Sequence, residues 1–208
     1  MAAKDWRNSE KLIRNPDRNP DWPDWFTGQY PETYFAKHLM QFAGKPNLRF
    51  LQIGAYTGDA SIWLIENVLT DLTSQLIDVD TWAGSDEPAH EGLDWDAIYS
   101  YYRHRVSFFG NLLPQRFTSD EFFRINPPPF DFVYIDGSHE THQVLRDAIN
   151  ADTYLNPGGI IAFDDYQWYE EGNTRNVPGP AIDAFVRCME NTYDVIDTGQ
   201  QVWLQKRA

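Results

Sequence analysis

Hydrophobic and polar positions alternate along this chain in two periods, and the switches between them mark out its elements. Phe35, Leu39 and Phe42 recur at helical spacing over residues 32–43. Residues 48–53 (LRFLQI) form a short, nearly continuous apolar run, the pattern of a buried strand. Residues 59–69 (DASIWLIENVL) return to the helical period. Residues 75–80 predict a second strand, 95–108 a helix and 112–117 a weak third strand. Residues 130–135 (FDFVYI) and 159–163 (GIIAF) are the strongest strands, with a helix between them over 141–155. A helix over 181–189 follows. Strands over 193–196 and 201–205, joined by Thr198-Gly199-Gln200, then close the pattern as a hairpin. Strands alternating with helices imply a mostly parallel sheet with right-handed crossovers. The expected fold class is α/β: a doubly wound, mostly parallel, seven-stranded sheet with a C-terminal antiparallel hairpin.

Residues 15–31 (NPDRNPDWPDWFTGQYP) fit neither period. Four prolines exclude a regular helix or strand there, yet Trp22, Trp25 and Phe26 are too many aromatics for a solvated tail. The reading is an ordered arm that packs on the domain. Residues 1–45 are thus an arm and helix serving as lid or packing segment, and residues 46–208 the main domain.

Composition narrows the partners. With 208 residues there is room for one substantial core. A formal net charge of -14, with no concentrated basic stripe, argues against a nucleic-acid partner. The single cysteine, Cys188, excludes an internal disulfide, is expected to be buried, and fits a reducing cytoplasm. Residues 1–18 are charged and polar, unlike a signal peptide, and no apolar run is long enough to cross a bilayer. The expectation is a cytoplasmic protein that acts on a small molecule, with a homo-oligomer left open.

In doubly wound sheets ligands bind outside the carboxyl ends of the strands, so the residues just past each strand carry the chemistry. After the first strand, Gly54-Ala55-Tyr56-Thr57-Gly58 leads into a helix; glycines there permit a tight turn and close backbone approach. The spacing is G-x-x-x-G, not the G-x-G-x-x-G of a dinucleotide fingerprint. A plain structural turn is an equal alternative. The second strand ends at Asp80, followed by Thr81 and Trp82, and an acid there is placed to accept ribose hydroxyls. Its rival is Asp78, two residues earlier, and its plain alternative a solvated strand-end carboxylate. The fourth strand ends in Asp136-Gly137-Ser138-His139 and the fifth in Asp164-Asp165-Tyr166. Neighbouring strand ends would gather Asp136, Asp164 and Asp165, and converging carboxylates either raise their pKa values or bind a cation such as Mg²⁺. The alternative is that one or two of them cap the following turn. His139 is a candidate proton acceptor or a residue that opens a helix. Arg146 and Asp147, on the next helix, read as surface or supporting groups.

Taken together, FLQIGAYTGDAS (50–61), LIDVDTW (76–82), FDFVYIDGSHETHQVLRDA (130–148) and LNPGGIIAFDDYQW (155–168), with the closing QVWLQK, resemble the class I S-adenosylmethionine-dependent methyltransferases. Among them they are most similar to metal-dependent O-methyltransferases such as the catechol and macrocin enzymes. The resemblance runs from about residue 46 to 206 and implies a Rossmann-like domain that binds S-adenosylmethionine and a divalent metal. By position it implies that Gln52, Gly54, Ala55, Tyr56 and Gly58 surround the methionine part of the cofactor. Asp80, Thr81 and Trp82 would lie along its ribose, and Ser119 beside its adenine. Asp136 would serve cofactor, metal and catalysis together, with Asp164 and Asp165 as further metal ligands and His139 as catalytic base. Gln52 stands where the family usually has an acid, which keeps an acceptor but loses a charge. The least family-like stretches, the arm and residues 83–94 and 167–180, would shape the acceptor pocket. Rival readings are a metal-free N- or C-methyltransferase, an NAD-dependent oxidoreductase and a non-catalytic binding module.

Overall fold

In the computed structural model, which describes residues 18–169 and 171–208, seven strands build one sheet. They are β1 (Arg49–Ile53), β2 (Gln75–Asp80), β3 (Leu112–Arg116), β4 (Phe130–Ile135), β5 (Leu155–Phe163), β6 (Tyr193–Thr198) and β7 (Val202–Lys206). Their order is β3-β2-β1-β4-β5-β7-β6; β7 is antiparallel to both its neighbours and the other pairs are parallel. The strand order reverses between β1 and β4, so their carboxyl ends form the crevice where such sheets bind ligands.

The long apolar runs of β1 and β4 follow from burial on both faces. Successive side chains point to opposite sides. Phe50, Phe132 and Tyr134 therefore join one buried layer while Leu51, Val133 and Ile135 join the other. The first layer is covered by α1 (Tyr30–Leu39), α2 (Asp59–Asn67) and α3 (Trp95–Val106). The second is covered by α4 (Ser119–Arg124), α5 (Thr141–Tyr154) and α6 (Pro178–Cys188). Phe35 of α1 is fully buried against Tyr134 and Trp203, so this helix completes the core.

The boundaries differ from the sequence pattern for identifiable reasons. The helix of residues 32–43 starts earlier, at Tyr30, because Pro31 is tolerated in its first turn, and it tightens into a 3₁₀ turn over Met40–Phe42. α6 likewise starts at Pro178. β5 begins at Leu155, four residues before its apolar run. α4 was absent from the periodicity, but its capping box was legible: Thr118 and Glu121 bond each other's backbone N–H. Cys188, expected to be buried, is exposed, because it ends α6 almost a turn beyond Phe185, its last buried side chain. Residues 1–17, including most of the polar start and the first part of the arm, lie outside the described residues.

One buried acid sits under β2. Asp78 is fully buried, accepts a 2.7 Å hydrogen bond from the Tyr102 hydroxyl, and leaves Oδ1 without a partner among the described residues. Burial pushes its carboxyl up to about 7, with the charge of Asp80 and against the hydrogen bond from Tyr102. A folded-state pKa above the unfolded one means that stability is greatest below the ordinary carboxylate range and is lost as the pH rises through about 7. Asp78→Asn keeps an acceptor for Tyr102 and removes the buried charge. We expect it to melt about 3–6 °C above the parent at pH 8, with little advantage at pH 5. A pH-independent difference in thermal unfolding would contradict this.

Candidate cofactor and metal site

The crevice at the switch point is a cavity of about 780 Å³. Its floor is the turn after β1. Gly54 has φ +88°, and a Cβ there would lie 1.8 Å from the Asp136 backbone oxygen, so only glycine lets the β1 and β4 chains cross this closely. Gly58, at φ +84°, backs onto the Tyr102 ring, which a Cβ would meet at 2.8 Å. Asp80 holds the turn in shape: Oδ2 accepts from Ala55 N (2.8 Å) and Tyr56 N (3.0 Å), and Oδ1 from Trp82 N (2.7 Å). Asp80 and Thr81 line the cavity, whereas the rival Asp78 is buried behind the sheet. Gln52 donates through Nε2 to Gly54 O (2.8 Å), and its Oε1 is buried with no partner among the described residues.

Two residues expected to touch the ligand do not line the cavity. Trp82 is fully buried against Tyr99 and Tyr102 and donates from Nε1 to Tyr56 O (2.8 Å), bracing the turn from behind. Gly58 serves the approach to Tyr102 rather than the cavity surface.

The acids after β4 and β5 come together, but not as three equal neighbours. Asp136, Asp165 and His139 each offer one candidate ligand atom, and these atoms all lie within 4.8 Å of one another. His139 Nε2 lies 2.9 Å from Asp165 Oδ2, and its Nδ1 faces Glu87 Oε2 at 3.2 Å, a charge contact without good hydrogen-bond alignment. The Asp164 carboxylate turns instead to two tyrosines. It accepts from Tyr134, from Tyr30 (3.0 Å) and from the backbone N–H of Asp165 (2.7 Å). This is the capping alternative for that residue.

The electrostatics follow the crowding. Burial, and then the charges of Asp164 and Asp165, raise Asp136 well above the usual carboxylate range. Burial and the Asp165 charge push Asp164 up to about 6. For His139 burial works downward, but the hydrogen bond and charge of Asp165, together with Glu87, outweigh it and push the ring up to about 10. His139 is thus the positive charge that these acids share.

At the other end of the cavity, Ser119 opens α4 and its Oγ accepts from Gln143 Nε2 (3.1 Å). Of the two readings for this helix pair, Asp147 takes the supporting one and Arg146 the surface one. Asp147 is 1% exposed, lines the cavity and accepts from Gln143 Nε2 at 2.9 Å, while Arg146 is exposed and pairs with Asp120. Helical spacing explains the split, since adjacent residues on α5 point about 100° apart.

The arm and loops supply the walls. Trp25 stacks on Tyr56 (4.5 Å between rings), Tyr30 reaches Asp164 and Asp165, and Trp168 packs on His139 (4.6 Å). Trp22 is core, packed on Tyr101. Sequence reasoning missed Glu87, Gln143 and Tyr30. Glu87 carried no signal among the loop acids, and the other two become visible only once α5 and the arm are docked.

Comparison with known proteins follows this geometry. A family described as a methyltransferase domain matches residues 51–166. An uncharacterized protein of Sinorhizobium fredii is 29% identical over 132 residues, 60% of this chain and 14% of its own length. An uncharacterized protein of Acanthamoeba polyphaga mimivirus is 28% identical over 141 residues, 65% of this chain and 59% of its own. The chain therefore spans less than two thirds of either relative. Among solved structures it is similar to the MycE methyltransferase of the mycinamycin biosynthetic pathway in complex with Mg and SAH (TM-score 0.64, 13% identity, 91% of this chain and 51% of that one). It is also similar to a Bacillus cereus O-methyltransferase in complex with SAH (0.59, 17%, 100% and 93%) and a Clostridium thermocellum protein described as a putative rRNA methylase (0.63, 12%, 85% and 96%). At these identities the likeness speaks for the fold. No helix among the described residues is long and apolar enough to cross a membrane.

Proposed function

The chain belongs to the methyltransferase-domain family, and from that premise we propose that it moves the methyl group of S-adenosylmethionine to a hydroxyl of a small sugar- or phenol-like molecule, assisted by a divalent cation, Mg²⁺ foremost. The observation that carries this reading is one juxtaposition. The glycine turn, with the unpartnered Gln52 Oε1, abuts the Asp136–His139–Asp165 group across the β1–β4 switch point.

The residues present fit the cofactor. Gln52 Oε1 is a buried acceptor that needs a donor, which the ammonium of a methionine moiety provides. Asp80 spends three acceptor positions on the turn and keeps a further one on Oδ1 for a ribose hydroxyl. S-adenosylmethionine would supply an electrophilic sulfonium methyl, and the cation would acidify and orient the acceptor hydroxyl. Asp136 and Asp165 would hold that cation, with His139 beside it and not among its ligands. Asp164 would act through its neighbours, fixing Asp165 and tying Tyr30 of the arm to the site. In the catalytic role, His139 would take the acceptor's proton at Nε2, once the ring has given up the proton it shares with Asp165; a nearby cation would lower its pKa in that direction. Trp25, Tyr30 and Trp168 would exclude water and face the acceptor ring.

We place the protein in the cytoplasm with a small-molecule acceptor. Among the described residues, no Lys or Arg lines the cavity, which gives a phosphate backbone no footing there. A metal-free methyltransferase is the second reading, favoured by the 2.9 Å contact of His139 Nε2 with Asp165, which lets a protonated ring stand among the acids in place of a cation.

Calorimetric titration with S-adenosylmethionine, S-adenosylhomocysteine and NAD tests the cofactor assignment. The first two should bind and NAD should not. Asp80→Asn should weaken S-adenosylhomocysteine about 10-fold, the loss of one charge-assisted hydrogen bond. Mass-spectrometric detection of methylated products from a panel of phenols and sugars, with Mg²⁺ and with EDTA, tests the rest. Comparable NAD binding would defeat the cofactor assignment, and full turnover in chelator would promote the metal-free reading.

A further inference from the structure

Asp147 is a buried acid that the proposed chemistry does not use, and its surroundings show what it does. It sits on α5 one turn after Gln143 and lines the cavity beside Ser119. The Gln143 side chain spends its Nε2 twice inward, on Asp147 Oδ1 (2.9 Å) and Ser119 Oγ (3.1 Å). An ionised carboxylate only accepts, so the amide cannot turn over without setting oxygen against oxygen. Gln143 is half-buried and lines the cavity, and its Oε1 makes no hydrogen bond within the described residues.

We infer that Gln143 reads the exocyclic amine of the cofactor's adenine through Oε1, with Asp147 and Ser119 fixing the amide in its accepting orientation. The inference rests on the cofactor reading above and deepens it. Neither residue belongs to the acid–histidine group, so the inference does not depend on the metal. Burial pushes Asp147 up to about 6, against hydrogen bonds from Ser119 and Gln143, so at pH 7.5 it is ionised and the lock is set. A 6-oxo purine would oppose its own carbonyl to Oε1, two acceptors facing each other, and the locked amide could not rotate to accommodate it.

Calorimetry at pH 7.5 with S-adenosylhomocysteine and S-inosylhomocysteine tests this on the whole chain. The parent should prefer the adenosyl compound by about 10-fold or more, the cost of a mismatched buried acceptor. Gln143→Leu should weaken the adenosyl compound about 5-fold and erase most of the preference. Asp147→Asn releases the lock, because its amide can donate to Oε1. It should therefore bind the inosyl compound more tightly than the parent does, a gain that general damage to the fold cannot produce. The ratio of the two affinities within one variant is insensitive to partial unfolding. An unchanged ratio in Gln143→Leu, or a parent that binds both equally, overturns the inference while leaving the methyltransferase reading intact. Failure of the parent to bind S-adenosylhomocysteine at all removes both.

Discussion

Gly54→Ala should lower the melting temperature by about 8–16 °C, the equivalent of roughly 4 kcal/mol in a domain of this size, and weaken S-adenosylhomocysteine binding about 100-fold or more. Two costs add. The backbone at φ +88° is strained for any side chain, and the new methyl would lie 1.8 Å from the Asp136 backbone oxygen, which cannot rotate away as a side chain would. The β1 and β4 ends must then separate, and they are the two walls of the cofactor crevice. Gly158→Ala separates the two costs: its φ is +79°, yet nothing lies within 4 Å of the added methyl. That control should cost only about 1 kcal/mol, the strain alone. If differential scanning calorimetry finds the two variants within about 1 kcal/mol of each other, the close crossing of β1 and β4 is not what Gly54 is for.

The fold was legible because its central strands are buried on both sides. Runs such as FDFVYI have no polar face to confuse the period, and their carboxyl ends could be read as site positions before any coordinates. Asp80, Asp136 and Asp165, read from those strand ends, all line the cavity. What the sequence hid depends on side-chain direction. Asp164 and Asp165 are adjacent, but backbone geometry sends them apart: Asp165 has φ +53° and turns to His139, while Asp164 points to Tyr134 and Tyr30. Trp82 leaves its expected place for the same reason, and side-chain direction also decides which alternative Asp147 takes. A strand-end aromatic turned back into the core, and a helical acid faced the cavity. Tyr30 could not have been placed at all, since it lies 134 residues from Asp164 and the prolines of the arm break any periodic signal.

The group at the ends of β4 and β5 leads to a prediction with opposite signs in one experiment. Asp136 and Asp164 are both held above the usual carboxylate range, first by burial and then by like charge, so ionising them in the metal-free protein costs folding free energy. A divalent cation seated among Asp136, Asp165 and His139 relieves that repulsion and binds only the folded state. At about 100 times its dissociation constant such a cation adds roughly 2.7 kcal/mol, about 5–10 °C in melting temperature for a domain of this size. Mn²⁺ or Mg²⁺ at pH 8 should therefore raise the melting temperature of the parent by that amount. Asp136→Asn removes a ligand and a crowded charge at once. It should melt no lower than the parent without metal, and higher if the repulsion dominates, yet lose nearly the whole metal-induced rise. Asp165→Asn should lose the rise as well, but it also gives up the partner of the His139 imidazolium and so should melt lower without metal. Asp120→Asn, an acid at the opposite end of the cavity, should keep the full rise. Thermal unfolding with and without the cation decides. No shift in the parent, or a full shift in Asp136→Asn, would leave the carboxylates as a proton-sharing group around His139 and favour methyl transfer without metal.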